Sequence, residues 1–133
     1  VAGKKTRLLE VRSPGMKHRH YAPEATMIVV EGELDKVIPK IRQLAALYMN
    51  EGKKVGILAT DESKSSYATD ILKSLGSRDN VASIARNLFR LLREFDEEKV
   101  DVIVAEGIAP TGLGLAVMNR LRRAAGFNVV QAA

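Results

Sequence analysis

The fold is decided by residues 100–114, which read VDVIVAEGIAPTGLG. The first six of these residues are almost all apolar and rich in β-branched side chains, as is typical of a strand buried on both faces of a sheet. A glycine-rich loop follows, and a helical repeat of apolar residues comes directly after it. Two similar runs, Met27–Val30 and Val55–Ala59, lie earlier in the chain, with helical repeats between the runs. This alternation predicts an α/β fold, a small Rossmann-like three-layer sandwich with a mostly parallel sheet.

The first two helices are predicted from apolar residues at helical spacing. One covers Leu34–Tyr48, should hold Pro39 in or near its first turn, and should end at Gly52. Residues 70–75 fit either a short strand or a helical turn. Ser77–Asn80 supply capping side chains for the second helix. That helix should bury Ile84, Leu88, Leu91, Leu92 and Phe95.

The third helix follows the glycine loop and should end at Gly126. Residues 128–131 fit a last strand. We expect the third helix to turn these side chains inward: Leu113, Ala116, Val117, Leu121 and Ala124.

Length and composition fit a single globular domain. The chain has 133 residues, of which 46% are hydrophobic and 28% charged, and this excludes disordered, collagen-like and coiled-coil classes. Without cysteine it has no disulfide or thiolate metal site. No apolar run approaches the roughly 20 residues that span a bilayer, and the first residues lack the apolar segment of a signal peptide. We therefore expect a cytoplasmic location and no membrane contact.

The net charge of +5 is confined to one end of the chain. Residues 1–20 hold six lysines and arginines against one acid, whereas residues 21–133 hold 15 bases and 15 acids. Apolar periodicity is missing before Ala25, and Pro23 disfavours a helix at the preceding residue. The sequence thus predicts an extended basic arm over residues 1–25 and a neutral folded body over residues 26–133.

Two loops of the body are candidates for a ligand site, because parallel α/β sheets bind ligands outside the carboxyl ends of their strands. In residues 106–114, glycines could let backbone N–H groups approach an anion at a helix N-terminus. Residues 61–66 are rich in carboxylates and hydroxyls and, with Glu31, Glu33 and Glu106, would form an acidic rim suited to acid–base chemistry or Mg²⁺. The candidate residues are Asp61, Ser63, Glu106, Gly107, Gly112, Gly114, Asn119 and Arg120.

A purely structural role is the alternative for both loops. The glycines do not match a dinucleotide fingerprint, because Val117 stands where the third glycine belongs, and the chain has no Gly-Lys-Ser/Thr of a Walker A loop. They could simply permit a tight turn and close packing of a helix on the sheet. Residues 61–66 could likewise be a solvated loop with capping side chains.

The arm has its own candidate site in residues 14–23, PGMKHRHYAP. Its cations and donors suit phosphate, carboxylate or nucleic acid, and on an extended backbone Lys17, Arg19 and Tyr21 share one side. No third ligand accompanies the two histidines, so no metal site is predicted. The alternative is a solvated basic tail. The candidate residues are Pro14, Gly15, Met16, Lys17, His18, Arg19, His20, Tyr21 and Pro23.

Three stretches resemble one enzyme family. Residues 13–23 closely resemble the linker of the two-domain form of threonylcarbamoyl-AMP synthase, which joins a catalytic domain to a C-terminal Rossmann-like domain. Residues 87–96 resemble a helix of that C-terminal domain, and residues 106–121 resemble its closing loop and helix. The resemblance spans nearly the whole chain and implies a C-terminal fragment that begins within the linker.

This resemblance also implies a reaction. The full enzyme condenses L-threonine, bicarbonate and ATP, with Mg²⁺, into threonylcarbamoyl-adenylate, from which threonylcarbamoyladenosine is made at position 37 of tRNA. Its substrates and cofactors belong to the catalytic domain, to which nothing in these 133 residues is similar. The chain alone is therefore expected to have no catalytic residues and no cofactor, with the catalytic domain of the same polypeptide as its partner.

Together, the charge distribution and the resemblance predict an accessory role. The arm would cover the active site, with Lys17 and Arg19 near the phosphates of ATP and the neutral body as its anchor. The alternatives are a nucleotide-binding regulatory module built on residues 106–114, a dimerisation domain, and RNA binding. RNA binding would use the arm with Arg120, Arg122 and Arg123, and the neutral body disfavours it.

Overall fold

The computed structural model describes residues 22–133. These residues form five strands, three α-helices and one turn of 3₁₀ helix. In chain order they are β1 (Thr26–Glu31), α1 (Leu34–Asn50), β2 (Val55–Ala59), the 3₁₀ turn (Lys64–Ser66), β3 (Leu72–Ser74), α2 (Val81–Glu97), β4 (Val102–Glu106), α3 (Leu113–Ala124) and β5 (Val129–Gln131). Nearly all of the predicted arm lies outside the described residues, and its boundary at residue 25 stays a prediction.

The strands form one sheet in the order β3-β2-β4-β1-β5, and every neighbouring pair is parallel. Val102 of β4 lies opposite both Thr26 of β1 and Val55 of β2, so β4 is the central strand. All strands therefore end at one side of the sheet, the carboxyl edge, and begin at the other, the amino edge. The predicted three-layer α/β fold is confirmed, with a sheet that is entirely parallel.

Helices cover both faces of the sheet, because every central strand is apolar on both sides. One core joins α1 to the face that carries Ile28 and Val104. The other joins α2 and α3 to the face that carries Val29 and Ile103. Gly56 makes the second core compact, since a Cβ there would lie 2.5 Å from the ring of Phe95.

Most predicted helix ends are confirmed. Gly52 and Gly126 have positive φ and follow α1 and α3 in Schellman motifs; after α1, the Lys53 amide donates to the Tyr48 carbonyl over 3.0 Å. The side chain of Asn80 caps α2 by accepting from the Ser83 amide. The ambiguous residues 70–75 contain strand β3. No helix within residues 22–133 is long and apolar enough to cross a bilayer.

The helix α1 begins at Leu34 as predicted, and Pro39 lies in its second turn, close to the first. Because proline has no backbone N–H, the Asp35 carbonyl has no partner within the helix. Both residues are exposed, so water can take the place of that partner. One expectation about the helices is wrong: Leu113 is 48% exposed, because Gly114 packs against Ala109 and Ile108 of the preceding loop and its neighbour consequently turns outward.

Candidate functional site

A buried carboxylate organises the carboxyl edge. Glu106, the last residue of β4, is completely buried. Its Oε1 accepts from the hydroxyl of Thr60 and from Nη2 of Arg78, both over 2.9 Å. Its Oε2 accepts from the phenol of Tyr67 over 2.5 Å and from the hydroxyl of Ser63. These five residues are named the Glu106 cluster.

The position of Glu106 follows from strand periodicity. Side chains alternate along a strand, so Glu106 points to the same face as Val102 and Val104, into the core beneath α1. A carboxylate there must be hydrogen-bonded, since burying it unpaired is costly. The required donors come from the loops after β2 and β3, which end at the same edge of the sheet.

Arg78 ties the two loops together. Its Nε donates to Thr60 Oγ1 over 3.0 Å, and its Nη2 also donates to the Gly107 carbonyl over 3.1 Å. Its backbone amide donates to the Glu62 carboxylate over 2.9 Å. The loops after β2, β3 and β4 are therefore held by one guanidinium and two carboxylates.

Tyr67 is kept in its protonated form. Burial raises the pKa of its phenol, and the hydrogen bond to the negatively charged Glu106 raises it further. The phenol therefore stays a donor to Glu106 at all physiological pH values. With four donors on two oxygens, the carboxylate is suited to fixing loops rather than to exchanging protons with a substrate.

A second ion pair lies on the opposite face of this edge. Arg122 of α3 donates from Nε and Nη2 to the two carboxylate oxygens of Glu31, over 2.7 and 3.0 Å. Gln131 of β5 donates to the same carboxylate over 3.3 Å. The hydrogen bond from Arg122 is the largest effect that lowers the pKa of Glu31. The pair joins β1, α3 and β5.

The glycines of residues 106–114 have structural reasons to be glycine. Gly112 is the N-cap of α3 with a φ of +57°, where a side chain is strained. At Gly114 a Cβ would lie 2.2 Å from the Ala109 carbonyl oxygen. The Gly114 amide already donates to the Thr111 carbonyl over 2.9 Å. The Gly114 amide, one of the first in α3, is therefore not free to bind an anion.

The structure brings only some of the candidate ligand residues together. Ser63, Glu106 and Gly107 meet in or beside the Glu106 cluster. Asp61 is exposed and accepts from the Ser74 hydroxyl over 2.6 Å. Asn119 and Arg120 lie exposed on α3 and form no side-chain hydrogen bond within the part of the chain that the structure describes. Gly112 is the N-cap of the same helix and Gly114 lies in its first turn.

The acidic rim does not fit Mg²⁺. Glu106 and Glu31 are each bound by an arginine, which occupies the oxygens that a cation would need. Over residues 22–133 no group of three or more histidines or acidic residues is placed to hold a metal ion. His18 and His20 lie outside the described residues.

Comparisons with known proteins identify the family. A family model described as "Threonylcarbamoyl-AMP synthase, C-terminal domain" matches residues 2–126. The chain belongs to this family. Relatives named threonylcarbamoyl-AMP synthase are 53% identical over 120 residues in Pyrococcus abyssi and 44% identical over 119 residues in Bacillus subtilis. Each alignment covers 90% of this chain but only 34% and 33% of the relative, so the chain spans about a third of their length.

Solved structures agree with this family. P. abyssi Sua5 complexed with L-threonine is 53% identical, with a TM-score of 0.78, and the match covers 91% of this chain and 34% of that one. The C-terminal Sua5 domain of Pyrococcus horikoshii is 47% identical, with a TM-score of 0.69, and the match covers 84% of this chain and 100% of that one. The second structure is a domain of this kind crystallised by itself.

Three residues of this threonylcarbamoyl-AMP synthase C-terminal domain were not among the candidates from sequence: Thr60, Tyr67 and Arg78. The sequence does contain a signal for such residues. A glutamate at the end of a buried apolar strand needs hydrogen-bond donors, and loops at the same edge of the sheet must supply them. For Arg78 the sequence predicts only a place in the capping segment Ser77–Asn80. Its pairing with Glu106, 28 positions later in the chain, is set by the sheet order and not by local sequence.

Proposed function

We propose that this chain is the accessory C-terminal part of a threonylcarbamoyl-AMP synthase, in which its linker covers the active site. The observation that carries the proposal is the 53% identity to such an enzyme over 120 residues, together with the linker motif of residues 13–23. In this proposal the catalytic domain belongs to the same polypeptide and supplies the chemistry.

The reaction proposed for the whole enzyme joins L-threonine, bicarbonate and ATP into threonylcarbamoyl-adenylate with release of pyrophosphate, and serves tRNA modification in the cytoplasm. ATP and Mg²⁺ would be bound by the catalytic domain, since Glu106 and Glu31 at the carboxyl edge of this fold are bound by arginines. A related structure, P. abyssi Sua5, contains L-threonine. We expect the present chain alone to form no adenylate.

The linker would supply cations to the active site. Lys17 and Arg19 would lie near the phosphates of ATP or the departing pyrophosphate, with the neighbouring histidines and Tyr21 fixing the closed position. A solved variant of P. abyssi Sua5 replaces an adjacent histidine and tyrosine by alanine. His20–Tyr21 is the one such pair in this sequence, and it lies within the linker motif.

The body would act as the anchor of the linker. Its charges balance, and two of its carboxyl-edge carboxylates, Glu106 and Glu31, are paired internally with Arg78 and Arg122. A neutral body competes little with the linker for anionic substrates, which fits a positioning role better than a second nucleotide site.

Alanine substitutions in the intact enzyme test this function. Lys17→Ala, Arg19→Ala and Tyr21→Ala should each lower adenylate formation, measured as threonine-dependent pyrophosphate release. Lys4→Ala and Lys5→Ala are matched controls, because they remove the same charge from the arm outside the motif. Unchanged kinetics in all three motif variants would overturn the proposal.

A nucleotide-binding module remains the second candidate, with a site formed by the candidate ligand residues at 106–114. The observation in its favour is the open space around Gly112, where a Cβ would meet no atom within 4 Å. Calorimetric titration of this chain with ATP and Mg²⁺ decides between the two. Micromolar affinity supports the module, and millimolar or undetectable affinity supports the anchor.

A further inference from the structure

The two outer strands of the sheet differ in how they are protected. β3 forms one side of the sheet and carries Lys73, whose ammonium group is paired with Glu94 and Glu98 at the end of α2 over 3.3 and 2.6 Å. A charged side chain of this kind keeps an outer strand from pairing with another chain. β5 forms the other side, and residues 124–133, which contain it, include no charged residue. The free side of β5, named the β5 flank, therefore lacks this protection.

The backbone of β5 has groups that point away from the sheet. The carbonyl of Asn128 accepts from β1 over 3.0 Å, and the amide of Ala132 donates to β1 over 2.8 Å. Because backbone groups alternate in direction along a strand, the N–H and C=O groups of Val129 and Gln131 point outward. Among residues 22–133 no strand lies beside them, since β5 ends the sheet. The β5 flank thus offers hydrogen-bond donors and acceptors to another strand.

Exposed apolar side chains accompany the β5 flank. Leu115 is 46% exposed and lies seven residues before Arg122, on the same face of α3. Arg122 binds the carboxylate of Glu31, to which Gln131 of β5 also donates, so this face of α3 is turned toward β5. Phe127, two residues before β5, is 70% exposed. Apolar surface beside an open strand is typical of an interface core.

We propose that the β5 flank binds the β5 flank of a second copy of this chain, antiparallel and across a two-fold axis. The outward-pointing groups set the register. Val129 of one copy lies opposite Gln131 of the other, and each such pair exchanges both of its N–H···O bonds. Val130 lies on the axis, opposite its own counterpart. Because the contact is the same on both copies, it is closed, and association stops at the dimer.

Charge favours a second copy over a charged partner. Two uncharged strands meet without like-charge repulsion, whereas a charged segment would find no opposite charge on β5. The strand alone is too short for a stable dimer, which buries about 800 Å² per partner. The α3 face that carries Leu115 supplies further apolar surface, because the axis places it opposite the same face of the copy. The inference is independent of the proposed function, since every group that it uses lies in the body.

Sedimentation equilibrium of the chain tests the dimer, which should have twice the mass of the chain. Gln131→Pro removes an outward N–H and leaves the bonds between β5 and β1 in place. It should weaken dimerisation about tenfold or more, because the symmetry removes the hydrogen bond twice. Gln131→Ala is the matched control, since it loses the side-chain bond to Glu31 but keeps the N–H, and it should dimerise like the original chain. A monomer up to millimolar concentration, or equal dimerisation of the two variants, would overturn the inference.

The register has a test of its own, because the chain has no cysteine. In Val130→Cys the two thiols face each other at a position where the Cα atoms lie about 4.5 Å apart, within the range of disulfides. Oxidised glutathione should therefore link this variant into a covalent dimer. Val129→Cys is the control, because its counterpart in the copy is a diagonal neighbour about 7–8 Å away, and it should stay unlinked.

This second test also decides the matter if thermal unfolding shows that Gln131→Pro does not fold, because it needs no proline. Equal linking of Val130→Cys and Val129→Cys, or no linking of Val130→Cys, overturns the inference.

Discussion

At the scale of single residues, Glu106 is the buried carboxylate on which the loops of the carboxyl edge converge. It unites three loops by accepting from Arg78 and three hydroxyl groups, all from segments that are distant in sequence. A partner removed from a buried ion pair leaves the other charge without compensation. The cluster therefore behaves as one unit rather than as four separate hydrogen bonds.

Glu106→Ala should destabilise the isolated chain by about 3–5 kcal/mol, because it strands the guanidinium of Arg78 in a largely buried position. Glu106→Gln, which keeps the shape and one acceptor, should cost less. Urea unfolding of both variants gives the comparison. Asp61→Ala, at an exposed carboxylate of the same edge, should change stability little, and an equal loss in all three variants would contradict this account.

Tyr67 should make the fold sensitive to alkaline pH. The unfolded phenol ionises near its ordinary pKa of 10, whereas burial raises the pKa in the folded state well above that value. The folded state thus binds more protons above pH 10, and its free energy of unfolding falls as the pH rises. Tyr67→Phe should weaken this fall in denaturation experiments between pH 8 and 11. A slope as steep as that of the original chain would show that another group is responsible.

At the scale of secondary-structure elements, α3 is placed by a contact that only glycine allows. A Cβ at position 114 would meet the Ala109 carbonyl oxygen at 2.2 Å. Gly114→Ala should therefore destabilise the fold by about 2 kcal/mol or more, although alanine favours helices. Asn119→Ala, at an exposed position of the same helix, gains helix propensity without a clash and should be neutral or slightly stabilising. Thermal unfolding of the two variants tests the contrast.

The pairing of β1 with α3 should respond to acid. Arg122 lowers the pKa of Glu31, so the folded state keeps this carboxylate ionised at a pH where the unfolded chain has begun to bind a proton. The stability from the pair is complete above the ordinary pKa of 4.5 and is lost as the pH falls below it. Glu31→Gln should flatten the acid side of the stability profile. A profile unchanged below pH 5 would assign acid sensitivity to other carboxylates.

Elements with a strong periodic signal could be predicted from sequence, and the exceptions have identifiable causes. The three long apolar strands and the inner face of α2 follow directly from residue patterns. The outward turn of Leu113 could not be predicted, because the contact between Gly114 and Ala109 fixes the rotation of α3. Pro39 is tolerated within α1 because burial of Val37 and Ile41 outweighs one lost hydrogen bond on the solvent side.

At the scale of the whole molecule, charge separates the arm from the body. All of the +5 net charge belongs to residues 1–20, whereas the remainder is neutral. The complete chain should therefore bind heparin at low salt and lose that affinity steeply as salt rises, and a chain of residues 22–133 should not be retained. Column elution in a salt gradient measures both. Retention of the shorter chain would place a polyanion site on the body.

The candidate site shows where sequence reasoning ends. Because parallel strands place their ends together, the sequence predicts that Ser63 and Glu106 lie at the carboxyl edge, where the structure has them, and their part in a ligand site stays a prediction. The sequence does not predict the contacts of Arg78 or Tyr67, because these depend on β2 and β3 being neighbours with no α-helix between them. Nor does it predict that the Asp96 carboxylate accepts from the Glu24 amide across 72 positions of the chain.

The central place of β4 has a consequence for the order in which the newly made chain folds. In the sheet, β1 pairs only with β4 and β5, so it has no neighbour until residue 102 has been synthesised. The loops after β2 and β3 must likewise wait for Glu106 to reach them. The body therefore becomes compact only after β4 has been made, and a ribosome that stalls before residue 102 leaves β1 and the β2–β3 pair unjoined.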